Sequence, residues 1–130
     1  CILNTHITEA SDAMSDLGRY LRKKREALRE GDARFSIRQV AARIDVQPSY
    51  LSKVERGQEA PPSEKTLRRL AQDLGEDVDM LLALGGKISS DLAQIIRKRP
   101  MLFAELIRDL KDMPDHAVLR IVREVQDGNW

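Results

Sequence analysis

The stretch SIRQVAARIDVQPSYLSKVERG, Ser36–Gly57, decides how this 130-residue chain folds. It opens on Ser36-Ile37-Arg38-Gln39, a capping-box pattern in which a hydroxyl and a Gln three residues later each satisfy a free backbone N–H at a helix start. The spacing predicts a helix over about 37–44 with Val40, Ala41 and Ile44 inward, and the small Ala41 and Ala42 permit a close helix neighbour. A turn over Asp45–Pro48 leads into a second helix, Pro48–Arg56. Pro48 takes the first helical position, where its missing N–H costs nothing, and Gly57 supplies the left-handed residue that ends the helix.

Working outward, residues 15–30 carry Leu17, Tyr20, Leu21 and Leu28 at helical spacing behind Ser15 as N-cap. Arg25 falls on that apolar stripe, and Glu55 falls on the inward face of the Pro48–Arg56 helix. Two isolated charges on apolar faces of neighbouring helices must pair, because an unpaired buried charge is very costly, so an Arg25–Glu55 salt bridge is expected. Beyond Pro61-Pro62, Ser63 caps a fourth helix through about Leu74, with Leu67, Leu70, Ala71 and Leu74 inward, and Val78–Leu84 forms a fifth. Gly85-Gly86 reads as a hinge. Three further short helices follow, the first capped by Ser90 and the others opened by Pro100 and Pro114. Each is too short to be stable alone in water, so the tail must pack on something. No strand signal is present, and the fold class expected is all-α. The expected domains are an N-terminal extension over 1–13, disordered and ahead of a translation start at Met14, a helical domain over 14–84, and a C-terminal helical region over 87–130.

Composition excludes several classes. No apolar run approaches the roughly 18 residues of a membrane span, and a basic-then-apolar signal peptide is absent, so a cytoplasmic protein without a membrane partner is expected. A single cysteine leaves no internal disulfide or Cys-based zinc site, and His6 and His116 offer little for metal or acid–base chemistry. No Ser/His/Asp or Cys/His set and no glycine-rich phosphate loop occurs, so neither an enzyme nor a bound cofactor or metal is expected. The net charge of +1 hides an asymmetry: Arg19–Gly57 holds eleven cations against five carboxylates, a surplus of six, which leaves −5 on the remainder. A basic half of this kind is an electrostatic footprint for a polyanion.

Two short helices joined by a tight turn and flanked by three more form the pattern of a helix-turn-helix module. The residues of Ser36–Gly57, SYLSKVERG (Ser49–Gly57) above all, resemble the Xre/Cro-C1 family of helix-turn-helix transcriptional regulators, and TLRRLAQDLGEDVDMLL (Thr66–Leu82) is similar to the rest of that family's five-helix domain. The turn position usually occupied by Gly is Asp45, which tolerates a left-handed backbone better than most residues. Gln47 stands where Ser or Thr commonly caps the recognition helix. The resemblance implies a lambda-repressor-like domain whose recognition helix enters the major groove of double-stranded DNA. By matched position the base readers are Gln47, Pro48, Ser49 and Lys53, with Lys53 suited to guanine O6 or N7 and Pro48 to a thymine methyl. Phosphate contacts fall to Arg34, Ser36, Arg38 and Arg43 around the helix before, and to Tyr50, Ser52, Arg56 and Gln58. Tyr50 has a packing role as its alternative, and Arg19, Arg22, Lys23 and Arg29 rank below the rest because much of the first helix faces away from DNA in the family.

One such module contacts a single half-site, and dimers bridge two half-sites about 34 Å apart. Leu102, Phe103, Leu106, Ile107 and Leu110, then Val118, Leu119, Val122 and Val125, suit a helical homodimer interface, against the alternative that the tail folds back on its own domain. The reading reached from sequence is a dimeric repressor of a palindromic operator. Its alternative is the antitoxin of a toxin–antitoxin pair, with the tail on the toxin and the same module on the operator. A protein partner of the tail would be a toxin, a protease or an antirepressor.

Overall fold

The computed structural model describes the backbone of residues 2–128 and, within the first helix, side chains from Asp16 onward. The described residues form α-helices and one 3₁₀ turn with no strand, so the chain is all-α. In order these are α1 (Ile2–Gly31), the 3₁₀ turn Ala33–Phe35, α2 (Ile37–Arg43), α3 (Pro48–Glu55), α4 (Glu64–Leu74), α5 (Val78–Leu84), α6 (Ser90–Lys98), α7 (Pro100–Leu110) and α8 (Asp115–Asp127). None is long and apolar enough to cross a membrane among the described residues.

The chain divides into two compact units, Cys1–Ser90 and Asp91–Trp130. The first holds the core. Leu17 and Leu21 of α1, Val40 and Ala41 of α2, Leu51 and Val54 of α3, Leu67, Leu70, Ala71 and Leu74 of α4, and Leu81 and Leu82 of α5 are all buried, with Ile44 in the turn between α2 and α3. Tyr20 and Leu28 lie at its margin, partly buried. Helix α1 approaches α3 so closely that a Cβ on Gly18 would stand 2.5 Å from the Val54 carbonyl oxygen and 2.7 Å from that of Glu55.

Three local expectations are corrected. Helix α1 begins at Ile2, so Ser15 lies inside it and caps nothing, and the segment read as a disordered extension has a helical backbone. Residues 2–14 contain neither Pro nor Gly, so nothing in them stops the helix. At α2 only half of the capping box forms: Ser36 Oγ accepts from the Gln39 N–H at 3.2 Å, whereas the Ser36 N–H goes to the Ala33 carbonyl at 3.4 Å. The 3₁₀ turn has taken the donor that Gln39 would have satisfied.

Gly85-Gly86 is a helix ending fixed in place. Gly86 sits at φ 75°, and the Lys87 N–H returns to the Leu82 carbonyl at 2.8 Å. Lys87 Nζ donates to the Pro62 carbonyl at 3.1 Å, Ser89 is fully buried, and both the N–H and the hydroxyl of Ser90 donate to Glu64 Oε1 at 3.0 Å. Residues 85–90 therefore belong to the first unit, and the boundary lies after Ser90 rather than at 84–87. Ser90 is a residue of α6 whose hydroxyl serves Glu64 and not the helix start.

In the second unit no described residue is buried. Phe103, Leu110 and Val118 are half-buried, while Leu102, Leu106, Ile107, Leu119, Val122 and Val125 are exposed.

Candidate nucleic-acid interface

Pro48 opens α3 at its first position and Gly57, at φ 70°, ends it, with the Gln58 N–H returning to the Lys53 carbonyl at 2.9 Å. Between α2 and α3 the chain turns at Asp45, which holds φ 61° in the left-handed region as expected of the residue in the glycine position. The Val46 N–H closes the turn on the Ala41 carbonyl at 3.0 Å. The turn fixes the azimuth of α3. Leu51, Val54 and Glu55 go inward, and Ser49, Ser52, Lys53 and Arg56, spaced by three and four residues, are left along one outer face. Gln47 makes no side-chain cap bond, and it is exposed beside exposed Pro48. The four residues matched to base reading are thus all exposed, Gln47, Pro48 and Ser49 at the start of α3 and Lys53 in its last turn.

The floor under that face is the expected ion pair. Arg25 Nε donates to Glu55 Oε2 at 2.7 Å and its Nη2 to Glu55 Oε1 at 3.0 Å, with Arg25 3% and Glu55 6% exposed. Arg25 Nη1 also donates to the Phe35 carbonyl at 3.1 Å, and Nη2 to Glu26 Oε1 at 3.1 Å. One guanidinium therefore ties α1, the 3₁₀ turn and α3 together. Its hydrogen bonds to Glu55 hold its proton more firmly than an ordinary arginine's.

The structure sorts the cations of the basic segment. Arg34 is held bidentate by Asp32, whose carboxyl it pulls down to about 2. Arg43 faces α4, donating to Asp73, and lies 5.0 Å over the Phe35 ring. Arg19 pairs with Asp16 and Lys24 with Glu76. Arg22, Lys23, Arg29, Arg38, Lys53 and Arg56 have no ion-pair partner among the described residues. Of the residues matched to phosphate contact, Arg38, Arg56 and Gln58 are exposed, Ser52 is half-buried, and Ser36 Oγ is engaged at its cap. Tyr50 packs against the core, where burial and the nearby Glu59 push its phenol up.

Sequence reasoning ranked Arg22 and Arg29 low. In the structure they line, with Ser52 and Arg56, an open concavity of about 270 Å³ between α1 and α3. Their spacing carried a signal: Arg22 and Arg29 flank Arg25 by three and four residues, so fixing Arg25 against α3 brings both to the same side of α1. No group of three or more His, Cys, Asp or Glu gathers in a metal-binding arrangement among the described residues.

A family model described as a helix-turn-helix domain matches residues 16–84, more than half of the chain. No curated protein and no solved structure matches the chain in the corresponding searches.

Proposed function

The chain belongs to the helix-turn-helix domain family, a DNA-binding class, and on that premise we propose that it is a sequence-specific transcriptional regulator of the Xre/Cro-C1 type. One observation carries this reading: α3 presents Ser49, Ser52, Lys53 and Arg56 along an outer face while its opposite side is anchored by Leu51, Val54 and the Arg25–Glu55 pair. A rigid helix with polar, hydrogen-bonding side chains on its free face suits the major groove, where each base pair presents a distinct donor and acceptor pattern. Gln47, Pro48, Ser49 and Lys53 read bases. Arg38, Arg56, Ser52 and Gln58 hold phosphates, and Arg34, Ser36, Arg43 and Tyr50 serve mainly the fold around them, since each is already engaged within it.

The protein acts as a homodimeric repressor in the cytoplasm, with the tail as its dimer interface. The exposed Leu102, Leu106, Ile107, Leu119, Val122 and Val125 support this, because a unit with no buried residue among those described lacks a core until another surface covers it. The antitoxin reading shares the DNA step and differs only in what covers those side chains. Selection of bound duplexes from a random pool tests the proposal: the expected product is an inverted repeat with half-site centres about 34 Å apart, and a pool that yields no motif overturns it. Co-purification of a neighbouring gene's product on the tail, in place of a second copy, would favour the antitoxin.

A further inference from the structure

The concavity between α1 and α3 contains more positive charge than the fold consumes. Four guanidiniums line it, those of Arg22, Arg25, Arg29 and Arg56, against the two carboxylates of Glu26 and Glu55. Arg25 is engaged with both carboxylates, and Arg22, Arg29 and Arg56 have no ion-pair partner among the described residues. Two net positive charges therefore face an open hollow whose remaining polar wall is Ser52. A volume of about 270 Å³ is just below the roughly 300–1,000 Å³ of small-molecule sites, so it favours a small anionic group over a bulky effector. Guanidiniums match such a group, because their fork of N–H donors fits phosphate oxygens. The wall formed by Ser52 and Arg56 is also part of the outer face of α3, which makes the hollow continuous with the surface assigned to the duplex.

We infer that Arg22, Arg29 and Arg56, with Ser52, form a seat for one backbone phosphate of the bound DNA, so that α1 extends the footprint beyond the helix-turn-helix itself. This rests on the DNA-binding reading above. The seat adds affinity and register and reads no base, since phosphates carry no direct sequence information.

The test is the salt dependence of duplex binding by the full chain and by the Arg22→Gln/Arg29→Gln variant. Neither arginine is buried or ion-paired among the described residues, and an unchanged thermal melt verifies that the fold is intact. Loss of one phosphate contact should make the slope of log K against log salt shallower by about 0.9 and weaken specific and random duplexes by the same factor. Arg56→Gln alone should shift the slope in the same direction. Lys23→Gln, which removes an unpaired cation of α1 outside the hollow, should leave the slope unchanged. A double variant that keeps the full slope, or a Lys23→Gln effect of equal size, overturns the seat while leaving DNA binding standing. Binding of inorganic phosphate at these arginines with an unaltered DNA slope overturns its assignment to the duplex. A wild-type chain that binds no duplex overturns both readings.

Discussion

At the scale of single residues, the Arg25–Glu55 pair and Gly18 fix how α1 meets α3. Replacing Arg25 by Ala strands the Glu55 carboxylate, 6% exposed, and should cost about 3–5 kcal/mol in a urea melt. The double change Arg25→Met/Glu55→Leu should recover much of that loss, because an apolar pair of similar volume leaves no buried charge unpaired. A single variant as stable as wild type would contradict the role given to the pair. Gly18→Ala should destabilise by about 1–3 kcal/mol, since its Cβ meets two backbone carbonyls that cannot move aside as a flexible side chain would. The ion pair was legible in the sequence because both partners interrupt apolar stripes. The Arg43–Asp73 pairing, which spans the same thirty residues, was not, because neither partner interrupts an apolar stripe and no periodicity marks them.

At the scale of elements, helix interiors were legible and several boundaries were not. The apolar spacing located α2 to α5 to within a residue or so, and Ser63 capping α4 through the Thr66 N–H was read directly. The start of α1 was misplaced because Ser15 is a good cap by composition, and no local rule obliges the backbone to use it. Gly85-Gly86 looks alike in sequence whether it is a hinge or a helix ending, and what decides is the partner Glu64, more than twenty residues earlier. That anchor has a pH signature. The N–H and hydroxyl of Ser90, with Arg68, hold the Glu64 carboxyl below the usual 4.5. A depressed carboxylate stabilises the fold above its unfolded value and loses that contribution as the pH falls through its folded value. Wild type should therefore melt above Glu64→Gln at neutral pH, and the gap should close as the pH drops below 4.5 towards the folded value. A gap that persists unchanged at low pH would argue that Glu64 acts by packing alone.

For the whole molecule, the near-neutral charge conceals a surplus of six cations over Arg19–Gly57. Several cations of the basic segment are consumed by the fold, and of those left over Arg22, Arg29 and Arg56 line one hollow while Lys53 lies on the outer face of α3. That sorting was invisible in a net count, because pairing depends on tertiary neighbours. The tail's apolar inventory was legible, and the structure separates half-buried Phe103, Leu110 and Val118 from the exposed remainder. Val122→Glu, at an exposed position of α8, should convert a dimer to a 14.8 kDa monomer in sedimentation, whereas an unchanged dimer mass would remove α8 from the interface.

The central claim, that α3 reads DNA sequence, is tested most directly by the affinity ratio between a selected operator and random duplex for wild type and Lys53→Ala. A base reader predicts that the ratio falls by a factor equivalent to about 1–3 kcal/mol, with preference relaxed at one position of each half-site. Equal weakening on operator and random duplex, leaving the ratio unchanged, would contradict it.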